Sequence, residues 1–326
     1  MTTGSVNPNA GRAGVRFVQQ RTLKNRISCQ GVGLHSGKPV QLELRPGPVG
    51  SGIVFRRTDV DADKASIPAS WDNVVDTRLC STLGNEFDVR VSTVEHLMAA
   101  LSGCGVDNAL IEIDGPEVPI MDGSSGPFVD MIETIGLVEQ AEPRRIIRIL
   151  KSIEVRIGDA KAVLKPADRC SLDVEIDFKG TAVEEQSLNV GLVNGVFRKE
   201  LASARTFGFL HEVEAMQAAG LARGGSLENA IVVDGGKIVN EGGLRFDDEF
   251  VRHKILDAVG DLYLAGALIV GSFSAARCGH AINNMLLRAL FADKDAWCYD
   301  VISGDDMKNA VDGGIWAERV ISAGAA

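Results

Sequence analysis

Residues Val40-Gln-Leu-Glu-Leu44 alternate apolar and polar side chains, the period of a strand with one buried face. A turn at Arg45-Pro-Gly-Pro48 leads into Gly52-Ile-Val-Phe55, and the two runs together predict a hairpin. The plan recurs as Ala160-Lys-Ala-Val-Leu164, Lys165-Pro-Ala-Asp168 and Ser171-Leu-Asp-Val-Glu-Ile176. The segments downstream of each pair match as well. His96-Leu-Met-Ala-Ala-Leu101 runs through Gly103 and Gly105 into Ala109-Leu-Ile-Glu-Ile113, while His253-Lys-Ile-Leu-Asp-Ala258 runs through Gly260 into Ala267-Leu-Ile-Val270. Two helix–strand units 157 residues apart, each preceded by strands, predict a duplicated α+β chain.

Between the repeats, Glu139-Gln-Ala-Glu-Pro-Arg-Arg145 is polar, holds a proline and has no apolar period, which suits a linker. The expected organisation is domain I over 17–140, a linker at 141–145 and domain II over 146–300. A disordered extension rich in Gly, Asn, Thr and Ser is expected at 1–16, and a tail at 301–326.

Composition narrows the function classes. A chain of 326 residues, 45% hydrophobic, is long enough for two ordinary domains. The net charge of −10, with acidic residues spread along the chain, offers no positive field for nucleic acid. No run reaches the ~18 apolar residues of a membrane span, and the N-terminus lacks the apolar core of a secretory signal. Six cysteines without a CxxC pair argue against a disulfide scaffold and against thiolate zinc binding, so a reducing cytoplasm is expected. The chain is expected to be a monomer.

Candidate chemistry lies with three of the five histidines. In Ser92-Thr-Val-Glu-His96, Ser92 and Glu95 have the spacing of a capping box at a helix start. The same residues also suit a metal ligand, His96, beside a base, Glu95. His253, Asp257 and Asp261 recur every four residues and so share one helix face. That face is either a solvated stripe or a place where an imidazole and a carboxylate reach one ion. His280, in Cys278-Gly-His-Ala-Ile-Asn-Asn284, falls in a loop after an apolar strand, as a surface group, a helix cap or a catalytic acid. Combined, they supply two imidazoles and a carboxylate for a metal, a spare Glu and a spare His with a carboxylate to hold it. That is an inventory for metal-assisted hydrolysis. Two histidines and a carboxylate also describe the iron(II) site of non-haem oxygenases. Gly31-Val-Gly-Leu-His-Ser-Gly-Lys-Pro39 departs from both dinucleotide and P-loop patterns and reads as a turn feeding a strand; no GxSxG elbow surrounds Ser226.

Several stretches then occur in a characteristic order: Gln20-Arg-Thr-Leu-Lys24, Gly31-Val-Gly-Leu-His35, Asp76-Thr-Arg-Leu-Cys80, Val94-Glu-His-Leu97, Pro119-Ile-Met-Asp-Gly123, Ala204-Arg-Thr-Phe-Gly208, Leu244-Arg-Phe246 and Arg252-His-Lys-Ile-Leu-Asp257. In these the chain resembles the UDP-3-O-acyl-N-acetylglucosamine deacetylases, from about Gln20 to Asp293. The resemblance implies two α+β domains, each a small, mostly antiparallel sheet with two helices, forming a β-α-α-β sandwich with an insert in each domain. It implies an acylated UDP-sugar substrate and a Zn2+ ion, with Fe2+ as the alternative, held by His96, His253 and Asp257. It implies Glu95 as base, Thr206 as oxyanion donor, and His280 as acid oriented by Asp261. Phe207 and Lys254 are then expected beside the substrate and Cys80 near the pocket mouth. An acyl-chain passage is expected in an insert near 207–235, where Leu210, Val213, Met216 and Leu221 have the spacing either of its lining or of a helix buried on its own domain. His211 is expected to face solvent. The rivals are an iron oxygenase and a non-catalytic sugar-nucleotide-binding protein.

Overall fold

The computed structural model describes residues 17–192 and 195–302; the expected extension at 1–16 and all but the first two residues of the expected tail lie outside them. Its helices are α1 (Glu95–Cys104), α2 (Gly126–Ile135), α3 (Leu210–Ala218), α4 (Glu249–Tyr263) and α5 (His280–Ala292).

The duplication is visible strand for strand. One five-stranded sheet runs Ile27–Val32, Pro39–Pro46, Ala109–Ile113, Ile53–Arg57, Ser66–Pro68, and the other Ile153–Ile157, Ala160–Lys165, Ser272–Ala276, Ser171–Phe178, Glu184–Gly191. In each, the strand after the long helix pairs antiparallel with the second strand of its unit and parallel with the third. This corrects the predicted hairpins. Val40–Leu44 and Ile53–Phe55 share a sheet but are separated by Ala109–Ile113, because alternation fixes which face is buried and leaves the neighbour open.

The second repeat of that inserted strand is also displaced from expectation. The apolar run Ala267 to Phe273 breaks at Gly271, where a Cβ would lie 2.7 Å from Ile149 Cγ1 and 2.9 Å from the Lys165 carbonyl. Leu268–Val270 pairs with Arg145–Ile149 in a separate small sheet, and Ser272–Ala276 is the true counterpart of Ala109–Ile113. The segment expected as a linker is likewise strand. Leu137–Pro143 pairs with Gln19–Leu23, Arg145–Ile149 begins two residues later, and Arg144 between them is buried against Asp107 at 2.6 Å.

Helices α1 and α4 lie between the two sheets. One continuous set of buried side chains passes from Leu42 and Ile111 through Leu97 and Leu101 of α1, then Ile255 and Leu256 of α4, to Leu164 and Val174. Each such side chain contributes about 1.5–3 kcal/mol by leaving water. The α1–α4 contact is close enough to need a glycine: a Cβ on Gly260 would stand 2.0 Å from the Glu95 carbonyl oxygen. That contact brings the start of α1 against the C-terminal half of α4.

Candidate metal and acid–base site

α1 opens at Glu95, and its N-cap is Val94 without a side-chain cap. The capping-box geometry is therefore absent: the Ser92 hydroxyl pairs with Thr82 Oγ1 at 3.0 Å, and Glu95 reaches elsewhere. Freed from capping, Glu95 and His96 project toward α4, whose buried face carries His253, Asp257 and Asp261 at successive turns. All five are at least 96% buried, so the solvated-stripe reading of that face does not hold.

His96, His253 and Asp257 converge. Asp257 Oδ1 lies 3.6 Å from His96 Nε2 and 3.3 Å from His253 Nε2, and one donor atom from each residue lies within 4.8 Å of the others. Donors about 2.0–2.2 Å from one tetrahedral ion stand about 3.3–3.6 Å apart, so the spacing suits a single metal. His253 donates Nδ1–H to the Ala204 carbonyl at 3.0 Å, which leaves the Nε2 lone pair free. Burial takes the His253 pKa down to about 3 and keeps the ring neutral. Burial opposes ionisation of Asp257, yet the Lys254 ammonium, 2.7 Å from Oδ2, holds it well below the usual carboxylate range. Among the described residues, Asp257 Oδ1 and His96 Nδ1 are buried without a hydrogen-bond partner. Buried polar atoms without partners are costly, and an ion held by these donors would satisfy the carboxylate oxygen.

A second pair flanks this group. His280 is the first residue of α5, where sequence reading placed a loop. A helix start disfavours a cation, and burial does too, but Asp261 at 2.9 Å and then Glu95 outweigh both and lift the His280 pKa to about 10. Glu95 is raised above the usual carboxylate range by burial, with His280 and His96 opposing. Glu95 Oε1 and His280 Nε2 stand 3.8 Å apart, too far to hydrogen-bond directly.

The remaining expected residues surround these. The Phe207 ring stands 6.5 Å from His253 and 4.9 Å from Phe250, centroid to centroid. Lys254 Nζ lies 5.9 Å from the Phe207 ring centre while donating to Asp257, so its charge already has a partner. Thr206 is half-buried and fixed by its backbone to Gly123 and Ile231; among the described residues its hydroxyl makes no hydrogen bond. Cys80 is buried, 3.7 Å from Thr82 Oγ1, and burial followed by the nearby Glu95 charge pushes its thiol up to about 12. Helix α3 has no buried residue, which removes the reading of Leu210, Val213 and Met216 as a core stripe, and His211 is exposed. Sequence reading missed Ser81 and Asn283, which donate to Asp261 Oδ1 and Oδ2 at 2.5 and 2.9 Å. Ser81 comes directly after a recognised motif, but nothing in its local sequence announces the contact.

A duplicated α+β sandwich, with a buried His–His–Asp group at the seam between its halves and a carboxylate facing an imidazole beside it, defines a class of α+β proteins that carry an acid–base pair next to donors able to hold a metal ion. The chain belongs to the family described as LpxC, UDP-3-O-acyl N-acetylglycosamine deacetylase, whose profile matches residues 20–292. It is 50% identical over 283 residues to the UDP-3-O-acyl-N-acetylglucosamine deacetylase of Shewanella violacea, covering 86% of this chain and 92% of the relative. The proteins of the same description from Teredinibacter turnerae and Acidithiobacillus ferrooxidans are 48% and 51% identical over 90% and 86% of the chain, covering 96% and 92% of those relatives.

Proposed function

We propose that this protein hydrolyses the N-acetyl group of UDP-3-O-acyl-N-acetylglucosamine, releasing acetate and UDP-3-O-acyl-glucosamine, an early step of lipid A biosynthesis. The observation that carries the reading is the 3.8 Å gap between Glu95 Oε1 and His280 Nε2 beside the His96, His253 and Asp257 donors.

Zn2+ is the ion these donors suit, with Fe2+ the alternative that the same set accepts. A divalent metal held there supplies a Lewis acid for the acetamide carbonyl and lowers the pKa of a nearby water. Glu95, made more basic by burial, takes the proton from the attacking water at Oε1. The Thr206 hydroxyl donates to the developing oxyanion. His280, held protonated by Asp261, gives its Nε2 proton to the departing amine. Separate groups take and give the proton because one side chain is rarely placed for both.

Phe207 would pack on the sugar and Lys254 would meet a polar part of the substrate as well as Asp257. The partly exposed Leu210, Val213, Met216 and Leu221 of the insert near 207–235 would line a passage for the acyl chain. Cys80 would lie just inside the mouth as a neutral thiol. The two domains are taken as 17–140 and 146–300, and the protein works in the cytoplasm as a monomer; no helix among the described residues is long and apolar enough to cross a membrane.

The test is acetate release from UDP-3-O-acyl-N-acetylglucosamine before chelation, after it, and with zinc restored. Zinc-restored release in the absence of oxygen is expected. A requirement for oxygen would favour an iron oxygenase, and binding without turnover in every metal state a sugar-nucleotide-binding protein.

A further inference from the structure

Ser81 is 1% exposed, and each of its polar groups is engaged. Its carbonyl accepts from the backbone N–H of Val94, the N-cap of α1, at 3.3 Å. Its own N–H donates to Glu95 Oε2 at 3.0 Å. Its hydroxyl donates to Asp261 Oδ1 at 2.5 Å, across 180 residues of sequence and between the two halves of the molecule. The serine hydroxyl is the donor in this last bond and the carboxylate oxygen the acceptor.

These bonds distinguish the two oxygens of Glu95. Oε2 is occupied by the Ser81 amide, while Oε1 faces His280 Nε2. They also complete the seat of Asp261, whose Oδ1 takes Ser81 and whose Oδ2 takes both His280 Nδ1 and Asn283 Nδ2, at 2.9 Å each. With both oxygens held, the carboxylate is locked in rotation, and the imidazole bonded to it inherits that orientation. Ser81 thus hydrogen-bonds to both the Glu95 and the Asp261 side chains through groups of its own.

We propose that Ser81 is a positioning residue for both proton-transfer groups: its amide selects Glu95 Oε1 as the working base, and its hydroxyl fixes the ring of His280 through Asp261. It acts through these residues and not on substrate, and it ties the start of α1 in one half to α4 in the other. The inference rests on the roles proposed for Glu95 and His280.

Three substitutions test it in the zinc-loaded protein. Ser81→Ala removes the hydroxyl and leaves the amide; Ser81→Cys keeps nearly the same size with a weak donor; Ser81→Thr keeps the hydroxyl. For Ala and Cys alike, kcat should fall about 10- to 100-fold with KM changed by no more than about twofold, as expected when orientation is lost and binding is not. Zinc content should stay at the wild-type level, and the His280 Nδ1–H proton resonance should broaden or shift. Ser81→Thr should recover most of kcat and the resonance. Wild-type kcat and an unchanged resonance in Ser81→Ala would overturn the inference. So would Ser81→Cys behaving as wild type, or a loss that tracks zinc content and unfolding temperature in all three variants, since each assigns Ser81 a role in packing alone. If the wild-type protein releases no acetate, the proposed function fails, while the His280 resonance still reports whether Ser81 orients it.

Discussion

Glu95 Oε1 and His280 Nε2, one from the start of α1 and the other from the start of α5, face each other across 3.8 Å with opposite tendencies to hold a proton. Burial makes the carboxylate more basic than usual, and the carboxylates around the imidazole make it a weaker acid than usual. A gap of that size between a base and an acid is where a reacting group is worked from two sides.

Glu95→Gln removes the base with little change in shape. A loss of about 10²- to 10⁴-fold in kcat is expected, with zinc content retained. Combined with His280→Ala, the loss should be smaller than the product of the single losses, because the two groups serve one reaction. Steady-state acetate release with metal analysis of each variant checks this; full additivity would separate the two residues.

Zinc should stabilise the fold as well as support turnover, since a ligand that binds only the native state raises the unfolding temperature. Titrating zinc into chelated wild-type protein is expected to raise the melting temperature. His253→Ala or Asp257→Ala should flatten that response, each removing one of three donors. A shift of wild-type size in both variants would place the ion elsewhere.

The pH dependence is set by His280. Burial alone would lower its pKa, but Asp261 and Glu95 reverse this, and Asp257 adds to them, so the folded value rises from 6.5 to about 10. The raised value means that the stabilisation is fully present below about pH 6.5 and is lost as pH climbs toward about 10. Thermal unfolding of metal-free protein between these pH values should show that decline, and His280→Ala should reduce it. In the zinc-loaded enzyme the ion's charge lowers the His280 pKa, so the alkaline fall of kcat/KM should lie below pH 10. Asp261→Asn should move it lower still.

Gly260→Ala separates helix propensity from packing. Alanine in a helix interior gains about 1 kcal/mol over glycine. Here its Cβ would meet the Glu95 carbonyl oxygen at 2.0 Å, a backbone atom that cannot turn aside. Overpacking costs about 1–3 kcal/mol, so the substitution should lower the unfolding temperature despite the better propensity. It should also lower activity, because the carbonyl that must move belongs to the base. Calorimetry and acetate release together check both.

Much of this protein is written locally. The 3.6-residue period placed His253, Asp257 and Asp261 on one face of a helix, and the alternation at Val40–Leu44 and Ala160–Leu164 marked strands of a repeated plan. The motif order carried the family. What the sequence could not decide were matters of neighbourhood. Strand order was misread because a period of two fixes which side is buried and says nothing about which strand lies alongside. The local pattern Ser92–Glu95 looked like a cap, and only the packing of α1 on α4 and the amide of Ser81 turned Glu95 inward. Ser81 and Asp261 are 180 positions apart, and their bond exists because Gly260 lets two helices from different halves approach backbone to backbone. Residue spacing determined which donors the chain could present; the α1–α4 contact determined that they meet, because only burial strips their water and forces each polar atom to find a partner in the fold.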